Sequence, residues 1–293
     1  MNKKRTKIIL IIIFLLGLFI LLYPSISQYY NSFVQSKAVS DYDKLFINMG
    51  NKDYSSLFEE ANNYNQKLLK LRYPLSQYQQ LPNYKNILNI NNDGMMGYIS
   101  INKIKVEIPI YHGTSESVLN VAVGHLEGTS LPVGGESTHS VLSAHRGLPS
   151  AKLFTDLNKL ELGDIFEITI LDRKLTYQID NIVVVDPKDI SNLKIIEGKD
   201  YITLLTCTPY GLNTHRLLVR GKRIENINDY KIYVTTEAFK INNLIVAPIV
   251  ATPIIIILIL IVIFKPVENN NKKLDEYLKN NKKFGGKNNV KKI

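Results

Sequence analysis

The strongest constraint on the fold of this chain is a pair of long apolar runs near its two ends. The first run, residues 8–23, would span roughly 24 Å as an α-helix, somewhat less than the ~30 Å hydrocarbon core of a bilayer. The second run, residues 244–264, contains no charge and would span about 31 Å. Both runs are therefore predicted to enter a membrane, the first as an anchor and the second as a transmembrane helix.

A cleaved signal peptide is the alternative interpretation of the first run. Such peptides end at a cleavage site of small residues, whereas this run is followed by Pro24, Ser25 and Ile26. The sequence therefore favours an anchor that stays attached.

The distribution of charge indicates how the chain is oriented. The formal net charge is +10; residues 1–7 supply +4 and residues 265–293 supply +6, so the chain between them is balanced. A duplex-binding protein would carry a basic patch on its folded domain, so no nucleic-acid partner is predicted. Basic residues beside apolar runs favour the cytoplasmic side. We therefore expect two cytoplasmic tails, a domain outside the cell membrane, and a linker over residues 227–243.

The chain between the apolar runs changes from helical to β-rich. Residues 27–95 are predicted to form a helical extension, because apolar side chains recur there every three or four positions, with a break near residues 48–52. Residues 96–226 contain short β-rich runs that predict a mainly β domain, a closed or partly closed antiparallel barrel with one short helix near residues 151–157. The predicted strands are Gly97–Ile101, Val106–Tyr111, Ser140–Ala144, Ile165–Leu171, Leu175–Val185, Tyr201–Thr206 and Arg216–Arg223.

The single cysteine is the most informative residue of this β-rich region. A lone cysteine excludes an intramolecular disulfide, and five histidines without nearby acidic clusters predict neither a metal site nor a cofactor. Cys207 ends one predicted strand and Arg216 begins the next, so pairing of the two strands would place these side chains next to each other. His145 leaves a third strand in the same way. A nearby imidazolium and guanidinium would favour the reactive thiolate.

Each of these residues also has an ordinary interpretation when taken alone. A lone cysteine can be a small buried apolar residue, and Arg216 can be a charge at the edge of a strand. His215 is a weaker candidate than His145, because it points to the opposite face of its strand from Arg216.

The segments around these residues resemble the sortases. The run Thr203–Cys207 matches the TLxTC signature of that family, Arg216 lies where the family has its active-site arginine, and Ser143–Gly147 is similar to its histidine segment. Further segments resemble class C, the pilin-polymerising sortases: Tyr111–Thr114, Gly124–Pro132, Gly147–Ala151 and Thr206–Gly221.

The resemblance implies an eight-stranded sortase-type β-barrel with Cys207 as nucleophile, His145 as acid/base partner and Arg216 as cationic stabiliser. It also implies cleavage of an LPXTG-like sorting signal through a thioester on Cys207. Pilin subunits would be the partners, and a pilin lysine amine would resolve the thioester. His125 and Thr206 are expected in the substrate groove or directly behind the catalytic residues.

One departure from class C concerns the lid over the active site. Such lids usually carry an Asp-Pro-aromatic motif, and residues 30–96 contain none. The nearest segment by position, Tyr73, Pro74 and Leu75, lacks the acid. We therefore expect a lid held weakly or by apolar contact, with an ordinary linker between helix and barrel as the alternative.

Two other functions remain open at this stage. One is a sortase that attaches single proteins to the cell wall, although the predicted C-terminal span favours the polymerising type. The other is a two-span surface sensor or adhesion module that has no enzymatic activity and a structural cysteine.

Overall fold

The computed structural model describes residues 3–48 and 54–226, together with two short pairs at 255–256 and 278–279. The chain divides into two compact units, residues 1–19 with 240–293 and residues 20–239. The predicted linker, and all but two residues of the predicted second span, lie outside the described residues.

The first element is a helix, α1 (Lys3–Asn48), of 46 residues. Helix α1 contains the predicted anchor run and the start of the predicted helical extension, with Pro24 inside it. Proline removes one backbone hydrogen bond and kinks a helix, but it does not end a helix that is long enough on both sides. Among the described residues, this is the one helix long and apolar enough to cross a membrane.

Two further helices complete the extension. The second, α2 (Ser55–Leu69), buries a face with the spacing that the sequence predicted: Phe58, Ala61, Tyr64 and Leu68. The third, α3 (Pro74–Gln77), begins at a proline and continues into a 3₁₀ turn over Tyr78–Gln80.

Eight strands close into a barrel in the order β1-β2-β3-β4-β7-β8-β6-β5. A short helix, α4 (Glu116–Leu119), lies between β2 and β3. The strands are β1 (Met95–Ile101), β2 (Val106–His112), β3 (Val123–His125), β4 (Thr138–Ser143), β5 (Ile165–Ile170), β6 (Arg173–Val185), β7 (Asp200–Thr208) and β8 (His215–Ile224).

The barrel confirms the predicted eight-stranded fold but corrects the strand directions. An all-antiparallel barrel was expected, yet β2 pairs with β3 and β4 pairs with β7 in parallel. The parallel pairs arise because the chain crosses over before returning: α4 lies between β2 and β3, while β5 and β6 lie between β4 and β7. The predicted helix near residues 151–157 is instead a turn followed by a 3₁₀ segment, since Leu153 has a φ of +39° that an α-helix does not allow.

The helical extension is fastened to the barrel by buried polar contacts. The Tyr42 hydroxyl of α1 donates to the Met96 carbonyl at 2.7 Å and accepts from the Leu171 amide at 2.8 Å. Asn65 of α2 bonds both the amide and the carbonyl of Leu131. Because buried polar groups that lose their partners are costly, these contacts fix the two helices on the barrel.

Candidate active site

Cys207 and Arg216 are directly opposite each other in the antiparallel pair β7–β8. Opposite residues of such a pair have Cβ atoms about 4.5–5.5 Å apart and point to the same face. Leu205 and Leu218, two positions away on each strand, form the next pair on that face. The two candidate residues thus lie next to each other at the end of a hairpin, as the sequence predicted.

His145 reaches the same place from the strand on the other side of β7. In the parallel pair β4–β7, Ser143 is opposite Leu205, and the Ala144 amide donates to the Leu205 carbonyl at 3.1 Å. His145 and Cys207 each follow this pair by two residues. With neighbouring strands about 4.8 Å apart, this register brings the backbone of His145 beside that of Cys207. Three adjacent strand ends therefore supply the three candidate residues.

The thiol and the guanidinium are both partly exposed at the rim of the barrel. Cys207 is a free thiol of intermediate exposure. The Arg216 Nη1 donates to the carbonyls of Asn213 and His215 at 3.2 and 3.1 Å, which orients the guanidinium at the rim. The β7–β8 loop is itself closed by a bond from the Asn213 amide to the Pro209 carbonyl. A guanidinium held in this way can donate to a charge that develops beside the thiol.

A groove of about 400 Å³ has Arg216 in its lining, whereas Cys207 and His145 are not among its lining residues. Its floor is formed by outward-facing residues of the barrel strands, and one wall by the connection between β6 and β7. The lining is mainly apolar, with charged groups only at a few positions, which is typical of a ligand-binding groove. The floor residues are Val185, Leu205 and Leu218, and the wall includes Pro187, Ile190 and Leu193.

The lid candidate forms part of the opposite side of this groove. Leu75 and Tyr78 line it, whereas the Tyr73 side chain is 57% exposed and is not part of the lining. The Tyr78 hydroxyl donates to Glu127 Oε2 at 3.1 Å. A Cβ added at Gly128 would lie 2.7 Å from the Leu75 Cα, so the backbone of α3 rests directly on this glycine. Backbone contact and a hydrogen bond to a carboxylate thus hold the segment.

The two residues expected in or behind the groove are both buried. His125 and Thr206 are each 0% exposed and are not part of the groove lining. His125 Nε2 donates to the Ser130 carbonyl at 2.8 Å, and Nδ1 accepts from the Tyr84 hydroxyl at 2.8 Å. Burial lowers the pKa of His125 to about 4, so the ring is neutral at physiological pH. The ring fixes the loop after β3, which carries Glu127.

Thr206 connects the strands that carry the candidate catalytic pair. Its hydroxyl donates to the Ala144 carbonyl at 2.8 Å, one residue before His145. The side chain points away from the groove, because it lies next to Cys207 in an extended strand. The bond holds β4 and β7 together immediately before their candidate catalytic residues.

Sequence reasoning missed several residues that shape the site. Tyr78 and Glu127 belong to segments far apart in the chain, and neither has a local pattern that marks it. Arg146 and Thr208 each follow a candidate catalytic residue by one position. Strand alternation could have shown that Thr208 points away from Cys207, but Arg146 lies in a bend beyond the end of β4.

Comparison with known proteins agrees with this geometry. A family model described as the sortase domain matches residues 99–224. Sortase D of Bacillus subtilis is 32% identical over 131 residues, which are 44% of this chain and 63% of that protein. Sortase A of Streptococcus agalactiae is 28% identical over 135 residues, 45% of this chain and 54% of that protein. The chain thus matches less than two thirds of the length of these curated relatives.

The similarity to solved structures extends further. Sortase C1 from Streptococcus agalactiae is 49% identical with a TM-score of 0.60, covering 65% of this chain and 100% of that chain. Sortase C of Clostridium perfringens, solved with the C-terminal cell wall sorting motif, is 46% identical with a TM-score of 0.56, at 65% and 100% coverage. The chain therefore belongs to the sortase family of cysteine transpeptidases. The solved structures it resembles are class C members of that family.

Proposed function

We propose that this chain is a membrane-anchored transpeptidase that cleaves an LPXTG-like sorting signal and joins its acyl part to a lysine amine of a pilin subunit. The main support is the pairing of Cys207 with Arg216 at the groove, with the β4 register leading His145 to the same rim. Similarity to a sortase C solved with a cell wall sorting motif supports the substrate class.

In the first half of the proposed reaction, the Cys207 thiolate attacks the carbonyl carbon of the signal threonine. Arg216 donates hydrogen bonds to the oxyanion that forms. The bond between threonine and glycine then breaks, and the His145 imidazolium protonates the departing glycine amine. The products are a thioester on Cys207 and the released C-terminal peptide.

In the second half, an uncharged lysine amine attacks the thioester carbonyl. The His145 imidazole, left neutral by the first step, accepts the proton from this amine. The carbon–sulfur bond breaks, the thiolate returns, and an isopeptide bond joins the two subunits. The charges at the end of the cycle equal those at its start, so no cofactor is needed.

The membrane assignment rests on α1 and on the sequence beyond the described residues. Helix α1 contains the first apolar run, and its apolar window has a mean hydropathy of 2.8. The second apolar run and the two basic tails favour two spans with both termini in the cytoplasm and the barrel outside.

An acceptor competition tests this function on the full-length protein in detergent micelles. The donor is a fluorescent LPXTG-like peptide, and the acceptors are a peptide with a lysine side-chain amine and a glycine-terminated peptide that represents a cell-wall amine. We expect transfer mainly to the lysine side chain. Preferential transfer to the glycine amine would support the attachment of single proteins to the cell wall. If the donor peptide is not cleaved, the proposal is contradicted.

We further propose that residues 74–78 form a lid that limits access to Cys207, and Gly128→Ala tests this idea. The new Cβ meets the backbone of Leu75, so the lid must move. We expect iodoacetamide to modify Cys207 at least about threefold faster, as a shift of roughly 0.7 kcal/mol toward the open state would produce. Deletion of residues 70–82 should accelerate the modification further.

Gly163→Ala is the matched control for this variant. Gly163 has a similar positive φ, +92° against +83° for Gly128, but an added Cβ meets nothing within 4 Å. Both variants therefore strain the backbone, but only Gly128→Ala displaces the lid. Equal alkylation rates in the wild type, Gly128→Ala and the deletion variant would show that this segment does not cover the thiol.

A further inference from the structure

Arg146 and Thr208 form a contact between the two strand ends that carry the candidate catalytic pair. The Arg146 Nη1 donates to the Thr208 hydroxyl at 3.3 Å, and Nε of the same guanidinium donates to the Thr155 carbonyl at 3.2 Å. Arg146 directly follows His145, and Thr208 directly follows Cys207. The hydrogen bond therefore joins the segment after β4 to the end of β7, one residue beyond each reacting group.

Two hydrogen bonds join these strand ends, one on each side of the catalytic pair, His145 and Cys207. Thr206 bonds the Ala144 carbonyl one residue before the catalytic pair, and Arg146 bonds Thr208 one residue after it. Thr206 and Thr208 both belong to β7 and point to the face opposite Cys207, because side chains alternate along a strand. The catalytic pair is thus held between two cross-strand hydrogen bonds that leave the groove free for the substrate.

The second contact is needed because regular strand pairing ends before the catalytic pair. The last paired residue of β4 is Ser143, opposite Leu205, so the ladder does not hold His145 against Cys207. The loop after His145 also packs against the loop after Cys207, since a Cβ on Gly147 would collide with the Tyr210 ring. Arg146 supplies the directional part of this contact.

We propose that Arg146 is a positioning residue that sets the distance between the His145 imidazole and the Cys207 thiol. The proposal rests on the catalytic roles assigned to His145 and Cys207 above. A guanidinium suits this task better than an ammonium, because its fixed planar fork can bond Thr155 and Thr208 at the same time.

The test compares Arg146→Gln, Thr208→Val and the double variant in the full-length protein. For Arg146→Gln we expect kcat to fall by tenfold or more, with little change in KM, since a displacement of about 1 Å at a reacting centre can cost about 100-fold. The alkylation profile, meaning the time course with which iodoacetamide modifies Cys207 at a fixed pH, should slow, because the thiol loses its fixed position beside the His145 imidazole. Thr208→Val should cause a smaller loss in the same direction.

The double variant separates a direct contact from two independent effects. Because the two side chains act through one bond, adding Thr208→Val to Arg146→Gln should cause almost no further loss. Arg146→Lys, which keeps the charge and loses the fork, should recover part of the alkylation profile but not full kcat. Lys174→Gln is the matched control for lost charge; Lys174 pairs with Glu167 at the opposite end of the barrel, and its loss should leave both readouts unchanged.

Two results would overturn the positioning role. One is an Arg146→Gln protein with the kcat and alkylation profile of the wild type. The other is a double variant whose losses multiply. The alkylation profile needs no sorting-signal peptide, so the thiol's response to Arg146 is measurable even if the proposed transpeptidase substrate is wrong.

Discussion

Replacing Cys207 by alanine should reduce transpeptidation by the full-length protein to below about one ten-thousandth of the wild-type rate. Losses of this size follow removal of a covalent nucleophile, because the remaining groups can only bind and polarise the substrate. The side chain is free and of intermediate exposure, so the substitution breaks no disulfide and opens no sealed cavity. Folding should therefore be preserved, as thermal unfolding of the variant can verify.

Cys207→Ser is the informative companion to this variant. It keeps the size and position of the side chain but replaces the thiolate by a hydroxyl that is barely ionised near neutral pH. We expect binding of the sorting-signal peptide to persist and turnover to be lost. Appreciable product from Cys207→Ala would remove the thiol from the mechanism.

Arg216→Lys should lower kcat/KM by about 100- to 1,000-fold, the loss expected when a donor to a developing oxyanion is removed. A lysine keeps the charge but replaces a planar, fixed fork by a mobile point charge. It also loses the Nη1 bonds to Asn213 and His215 that orient the guanidinium. Most of the loss should appear in kcat, because the oxyanion exists only along the reaction path.

Arg220→Lys provides a matched control on the same strand and face. Arg220 lies four residues further along β8, bonds Asp180 through two nitrogens at 2.9 and 3.0 Å, and covers the Tyr201 ring. Its substitution should lower the thermal stability while kcat stays within about threefold of the wild type. Near-normal turnover by Arg216→Lys, or equal losses in the two variants, would refute a specific role for Arg216 in the reaction.

Local patterns predicted much of the barrel. Seven strands were expected close to their observed positions, since each contains a run of β-branched or apolar residues bounded by turn residues. The missing strand, β3 (Val123–His125), has three residues with a glycine at its centre, and it forms only through pairing with β2 and β4. Parallel pairing was missed for a related reason: strand direction depends on how the chain crosses the barrel.

The candidate site was predictable where it depended on neighbouring strands. Cys207 and Arg216 belong to consecutive strands joined by a short loop, so pairing alone brings them together. The exit of His145 from its strand marked it as a candidate, and the family resemblance supported it. That β4 meets β7 through a parallel pair of distant segments was not visible in the local pattern. The groove walls are formed by three segments that are distant in the sequence, α3, the loop after β3 and the β6–β7 connection. A local sequence pattern therefore could not predict them.

In the helical extension too, local patterns predicted the elements but not the contacts that form between distant segments. Residue spacing predicted the buried face of α2, whereas the predicted break near residues 48–52 lies almost entirely outside the described residues. The absence of an acidic lid residue was visible in the sequence. The contact that replaces it, between Tyr78 and Glu127, depends on folding of the barrel.

Mass spectrometry of the protein during turnover tests the central claim most directly. Full-length protein mixed with an LPXTG-like peptide and no acceptor amine should gain the mass of the acyl fragment, with the adduct on the tryptic peptide that contains Cys207. Addition of a lysine amine should release it as product. An adduct on another residue, or full product formation while Cys207 remains unmodified, would contradict a thioester mechanism at this site.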